Sequence, residues 1–176
     1  MADSYYSFWL VPQEPDLEEV QGIIDALSKR FGTVPFCPHV TLYSGLVPPT
    51  LNIQAVLAEL ASMQVFELEI FGIGHSSRFA KTLYVQLQPA SALTQVVHRL
   101  VTAIPNAQIP VLDPHVSLLY HHLDDGTKED LSRTISLSRS TIQFDQVQAV
   151  AAPQTFDTQE HVSSLRCVCR QFLSTP

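Results

Sequence analysis

Five consecutive residues occur twice in this chain: Pro38-His39-Val40-Thr41-Leu42 returns as Pro114-His115-Val116-Ser117-Leu118. The second copy follows the first by 76 positions, and the only change, threonine to serine, keeps the hydroxyl. An offset of that size in 176 residues leaves room for two units and no more, so the fold is constrained first by a duplication. The same offset carries Tyr5-Tyr6-Ser7-Phe8-Trp9-Leu10-Val11 onto Lys81-Thr82-Leu83-Tyr84-Val85-Gln86-Leu87, and sets Phe66 and Leu68 on Ile142 and Phe144. One domain over 1–176 is expected, with repeats at about 5–80 and 81–171. Each half reads strand, helix, His strand, helix, strand, strand, and the strand around Tyr84 would serve both halves. That order implies an α+β fold with helices on the outer faces of antiparallel sheets.

Strand periodicity gives the duplication a chemical meaning. Side chains at i and i+2 share a face, so His39 projects with Thr41 and His115 with Ser117, while Val40, Leu42, Val116 and Leu118 turn to the core. A single His-x-Thr is ordinary for a half-exposed strand. Two copies side by side would gather two imidazoles and two hydroxyls in one cleft. One histidine can then act as base while the other acts as acid. The hydroxyls can donate to non-bridging phosphate oxygens, where charge builds up in the transition state.

The remaining elements follow from pattern. Residues 5–11 read as a buried strand. A helix starts near Asp16, with Glu19 completing a capping box, and buries Leu17, Val20, Ile23, Ile24, Leu27 and Phe31 until Gly32 stops it. Residues 43–49 read as a loop. Thr50 and Ser91 are the expected caps of the second and third helices, and Thr127 with Asp130 marks a fourth. Segments 65–73, 82–88, 140–151 and 163–171 read as strands. Residues 72–80 and 152–161 read as loops, the sites where binding residues concentrate.

Composition narrows the function classes. The net charge of −7 disfavours tight binding to a long nucleic-acid backbone, which needs clustered Lys and Arg. Arg78 and Lys81 are the closely spaced basic pair near a loop of the first half, placed to meet an anionic substrate. No apolar run reaches the length of a membrane span and no secretory leader pattern is present, so a cytoplasmic monomer is expected. Three cysteines are a poor disulfide framework. Cys37, Cys167 and Cys169 read as buried small hydrophobes. His75, His98 and His161 read as loop or solvated residues. A zinc site from His115, His121 or His122 with Asp124 lacks a supporting helical spacing, so neither metal nor cofactor is expected.

These motifs resemble the 2H phosphoesterase superfamily, named for its two His-x-Thr/Ser motifs. Within it the chain looks most like the plant and yeast cyclic phosphodiesterase branch, on the strength of Trp9 in Tyr6-Ser7-Phe8-Trp9-Leu10-Val11-Pro12 and of Tyr120 five residues after His115. The resemblance implies a bilobal fold with two antiparallel sheets around a central cleft. It also implies hydrolysis of ribose cyclic phosphates. ADP-ribose 1″,2″-cyclic phosphate would give ADP-ribose 1″-phosphate, and nucleoside 2′,3′-cyclic phosphates would give 2′-phosphates, reactions of RNA and tRNA processing metabolism. His115 would be the base and His39 the acid, and Trp9 and Tyr120 would contact base or ribose. The rival readings are a 2H enzyme acting on RNA ends or 2′–5′ linked oligonucleotides, a silent nucleotide-phosphate binding module, and a zinc hydrolase. The disulfides of plant members have no counterpart set here.

Overall fold

The computed structural model describes residues 4–175. Among these residues seven strands, β1 (Ser4–Pro12), β2 (Val40–Val47), β3 (Phe66–His75), β4 (Leu83–Leu87), β5 (His115–Leu119), β6 (Thr141–Ala151) and β7 (Arg166–Phe172), form one antiparallel path in the order β2-β1-β6-β3-β4-β5, with β7 paired to β6. Five α-helices, α1 (Asp16–Phe31), α2 (Ile53–Ala58), α3 (Ser91–Thr102), α4 (Asp125–Thr134) and α5 (Gln159–Ser163), and a short 3₁₀ turn over Phe79–Lys81 complete the α+β architecture of the described residues.

The order of the path is a palindrome under the 76-residue offset. The offset maps β1 onto β4, β2 onto β5 and β3 onto β6. The centre of the palindrome is the β3–β6 ladder, where Glu67 pairs with Gln143, its own equivalent. A local two-fold axis therefore passes through that pair. Each half-sheet takes two strands from one repeat and its third strand from the other: β6 lies against β1, and β3 against β4. The strands that serve both halves are thus β3 and β6. The strand around Tyr84, expected to do so, pairs only with β3 and β5.

Period-two burial sets the faces. Phe8 and Leu10 of β1 are fully buried in the main core with Leu42, Leu83, Val85, Val116, Leu118 and Phe144. The opposite face of β1 carries Tyr5, Ser7 and Trp9 toward the cleft. Outer helices seal the core through Val20, Ile24 and Leu27 of α1 and Leu93, Val96, Val97 and Leu100 of α3, spaced for one helical face. Gly32 ends α1 in the left-handed conformation at φ +66°, with its N–H bonded to the Ser28 carbonyl.

Several local expectations are corrected. Asp16 and Glu19 do not form a capping box. The Asp16 carboxylate accepts from the Gln143 N–H at 2.8 Å and Glu19 accepts from Ser138, so both serve tertiary contacts. The side-chain caps of α2 and α4 are Asn52 and Asp124, and α3 has none. Residues 43–47 extend β2, because pairing with Ser4–Phe8 continues through them. The 152–161 segment ends in α5, capped by Thr158. Cys167 is exposed and Cys169 half-buried, since β7 is an edge strand paired to β6 only.

Candidate functional site

The two His motifs meet at a cleft of about 280 Å³ between the half-sheets. His39, Thr41, His115, Ser117, Trp9, Tyr120, Arg78 and Lys81 all line it. His39 sits one residue before β2 and His115 opens β5.

Both imidazoles are held in the same way. His39 Nδ1 is 2.7 Å from the carbonyl of Cys37, and His115 Nδ1 is 2.7 Å from the carbonyl of Asp113. A carbonyl only accepts, so each Nδ1 carries the proton and each neutral ring keeps an unprotonated Nε2. Cys37 and Asp113 are themselves repeat equivalents.

The surroundings of the two rings differ. His39 is buried, stacked on the Trp9 indole at 3.6 Å with 5° between planes, and its Nε2 lies 3.4 Å from the Tyr120 hydroxyl. Burial, with a smaller contribution from His115, pushes its pKa down to about 4, against the upward pull of the Cys37 carbonyl. His115 is half-buried and meets the Tyr84 ring edge at 5.5 Å. Its pKa is lowered by burial and by the Lys81 and Arg78 charges, opposed by the Asp113 carbonyl and carboxylate.

The hydroxyls also differ. Thr41 is exposed to the cleft, whereas Ser117 is buried and donates to the Ala80 carbonyl at 2.8 Å. Immediately after each hydroxyl the His strand carries a β-bulge. Thr41 and Tyr43 oppose the adjacent Trp9 and Phe8, leaving Leu42 as the extra residue. Ser117 and Leu119 oppose the adjacent Tyr84 and Leu83, leaving Leu118. A bulge reverses the alternation of the strand beyond it. The residue three positions after each hydroxyl therefore joins the cleft: Ser44 in one repeat, Tyr120 in the other. Tyr120 reaches across to His39; Ser44, its short equivalent, donates to Ser7 Oγ at 2.8 Å.

Of the basic pair, Lys81 is ion-paired with Asp113 and lies 4.3 Å from the Tyr84 ring centre. The same ion pair holds the Asp113 carboxyl below the usual carboxylate range. Arg78 is exposed at the rim. Tyr120 stacks on Phe36 at 3.7 Å and meets Phe156 edge-on, so one ring face is already occupied, as the Trp9 face is by His39. His122 and Asp124 line a separate depression with Lys128, and among the described residues no three His, Cys, Asp or Glu side chains are grouped to hold a metal ion.

Sequence reasoning missed Tyr5, Ser7, Ser44 and Asp113, which line the cleft, whereas Gln154 and Phe156, also lining it, lie in the 152–161 loop expected to carry binding residues. Ser7 was accessible to the i, i+2 rule from Trp9. Ser44 was not, because only the bulge brings it to this face.

Fold and cleft together define a duplicated antiparallel scaffold that presents one His-x-hydroxyl motif from each repeat. The model of the 2'-5' RNA ligase superfamily matches residues 11–151, and the chain belongs to that superfamily, the 2H phosphoesterases. Among solved structures, E. coli LigT in apo form is similar over 99% of both chains at 16% identity, with a TM-score of 0.62. LigT complexed with 3'-AMP covers 99% of both chains at 18% identity and TM-score 0.61. The protein TT0787 of Thermus thermophilus covers 96% of this chain and 97% of its own at 14% identity and TM-score 0.59. These likenesses show the fold. No curated protein matches the chain by sequence.

Proposed function

We propose that this phosphoesterase is a metal-independent cyclic phosphodiesterase that opens ribose cyclic phosphates with His39 and His115 as an acid–base pair. The observation that carries the reading is the paired presentation of two unprotonated Nε2 atoms, one from each repeat, in a cleft that also holds two motif hydroxyls. Water attacks phosphorus in line as His115 Nε2 takes its proton. The P–O bond to one ribose oxygen breaks, and His39 gives that oxygen a proton. A nucleoside 2′,3′-cyclic phosphate then yields the 2′-phosphate, and ADP-ribose 1″,2″-cyclic phosphate yields the 1″-phosphate. Thr41 and Ser117 donate to the non-bridging oxygens, Ser117 by turning from the Ala80 carbonyl.

Burial keeps His39 neutral near pH 7, so it becomes the acid only when the phosphate anion binds. An anion beside an imidazole favours its protonated form. The Trp9 face, parallel to the ring, stabilises the same cation. Arg78 at the rim supplies the charge for a distal phosphate.

Superfamily membership supports a second reading, cleavage at RNA ends or 2′–5′ linkages. That substrate asks for a basic groove, whereas the chain carries a net charge of −7. Purified protein is assayed with EDTA against ADP-ribose cyclic phosphate, nucleoside 2′,3′-cyclic phosphates and 2′–5′ linked dinucleotides, and the products are identified by phosphorus NMR. The proposal expects EDTA-resistant release of 1″- and 2′-phosphates. Turnover of the dinucleotides alone would replace it with the second reading.

A further inference from the structure

Ser7 lies outside both His motifs, and it is tied to His39 by two successive contacts. Trp9 Nε1 donates to Ser7 Oγ at 2.8 Å, and the Trp9 indole lies flat on the His39 ring at 3.6 Å. Ser7 and Trp9 are both buried, at 7% and 6% exposure, so the indole N–H has little access to water. Trp9 is the chain's single tryptophan. We infer that Ser7 is a positioning residue of the reaction, which orients His39 through Trp9.

The constraint can be derived from the ring's freedoms. The bond from Nδ1 to the Cys37 carbonyl couples the two side-chain torsions, χ1 and χ2, and leaves their concerted rotation free. A parallel indole face removes this rotation and so determines where Nε2 points. The indole stays parallel because its N–H is donor-only and has Ser7 Oγ as acceptor. Without the hydroxyl, a buried N–H is left unpaired, and the indole turns toward the cleft to find water. Ser44, exposed on the cleft side, donates to the same oxygen at 2.8 Å and holds the Ser7 side chain in place.

The device belongs to one repeat. By strand register the counterparts of Trp9 and Ser7 are Tyr84, which meets the His115 ring edge-on at 5.5 Å, and Thr82, whose hydroxyl donates to backbone carbonyls, so no stacked and side-chain-tied ring lies on His115. The groups facing His39 that titrate or carry charge are His115 and Tyr120 at β5, the Cys37 thiol on its own segment, and Tyr5 on β1. Arg78, Lys81 and Asp113 stand further round the cleft, beside His115.

The consequence for catalysis rests on the acid role proposed for His39; the orientation itself does not. Two readouts on Ser7→Ala and Ser7→Thr separate the two. The first needs no activity: tryptophan emission and its quenching by acrylamide. Ser7→Ala should shift emission to the red and raise quenching, and Ser7→Thr, which keeps the acceptor, should restore both. Unchanged emission in Ser7→Ala overturns the inference. The second is the pH profile on a nucleoside 2′,3′-cyclic phosphate. Ser7→Ala should lower kcat roughly tenfold, as expected for a misplaced reacting group, with little change in KM, and should move the alkaline limb of kcat to lower pH, with rescue by threonine. A shifted emission with an unchanged pH profile also overturns it. If the native protein opens no cyclic phosphate, the proposed function fails, and imidazole NMR titration of His39 in inorganic phosphate replaces the second readout. There Ser7→Ala must lower the His39 midpoint, and an unchanged midpoint sinks the inference.

Discussion

The niches around His39 and His115 descend from the same five residues, yet they treat a proton differently. Around His39 the ring is enclosed by Trp9, Phe36 and Tyr120, and among the described residues no ion pair stands beside it. Around His115 the ring is half open and stands next to the Lys81–Asp113 pair. The backbone contact is identical in both, a carbonyl at 2.7 Å from Nδ1. The repeated motif therefore supplies the tautomer twice, and the residues outside it give the two rings different surroundings. Burial lowers both pKa values, and it lowers that of His39 more.

The sharpest way to break this comparison is to remove each ring in turn. His39→Ala and His115→Ala should each lower kcat by roughly 10²–10⁴, with circular dichroism unchanged. If the two act in one proton relay, as proposed, the double variant should lose far less than the product of the two effects. Full activity in either single variant would show that the niches do not form a pair.

The hydroxyls come next. Thr41→Val and Ser117→Ala should each cost about 2–4 kcal/mol in kcat/KM if they stabilise the charged phosphate as oxyanion donors do. Ser117 must first leave the Ala80 carbonyl, so the two need not be equal. Silence in both would confine the hydroxyls to packing.

Stability carries a comparable signature. The folded His39 titrates at about 4 against an ordinary value of 6.5, so the unfolded chain takes up a proton that the folded protein refuses. This contribution is fully present above pH 6.5 and is lost as pH falls from there toward 4, amounting to about 3 kcal/mol. His115 adds a smaller loss of the same sign. Urea unfolding of the native protein and of His39→Gln between pH 7.5 and 4 measures the difference. Parallel stability curves for the two proteins would refute a neutral buried His39.

The smallest effects separate the basic pair. Arg78→Ala should raise KM for ADP-ribose cyclic phosphate by about two- to fivefold, the scale of an exposed charge contact, and leave a mononucleoside cyclic phosphate unaffected. Lys81→Ala should instead raise the His115 pKa, because it removes a cation and frees the Asp113 carboxylate beside the ring. NMR of the His115 imidazole reads the shift, and a fall would reverse the assignment of charges in that niche.

Much of this was legible in the chain. The repeat, the faces of His39 and Thr41, and the helical stripe through Val20, Ile24 and Leu27 follow from periodicity alone. What was not legible depends on contacts between distant segments. Asp16 and Glu19 fit a capping box, but the backbone N–H groups of Gln143 and Ser138 claim their carboxylates. Ser44 sits on the wrong parity for the cleft until Leu42 is bulged out. The exchange of β3 and β6 leaves no mark in local pattern, because each is an alternating strand wherever it pairs.

That exchange makes the protein a domain-swapped dimer joined into one chain. Neither repeat owns a complete half-sheet: β1 and β2 wait for β6, and β4 and β5 wait for β3. Backbone cleavage at the exposed Ser77–Arg78 stretch between β3 and β4 would therefore yield two pieces that fold only on each other. The same interlock keeps the two histidines at one spacing. Opening the cleft further would have to bend or break the ladder at Glu67–Gln143, the pairing that joins the two half-sheets.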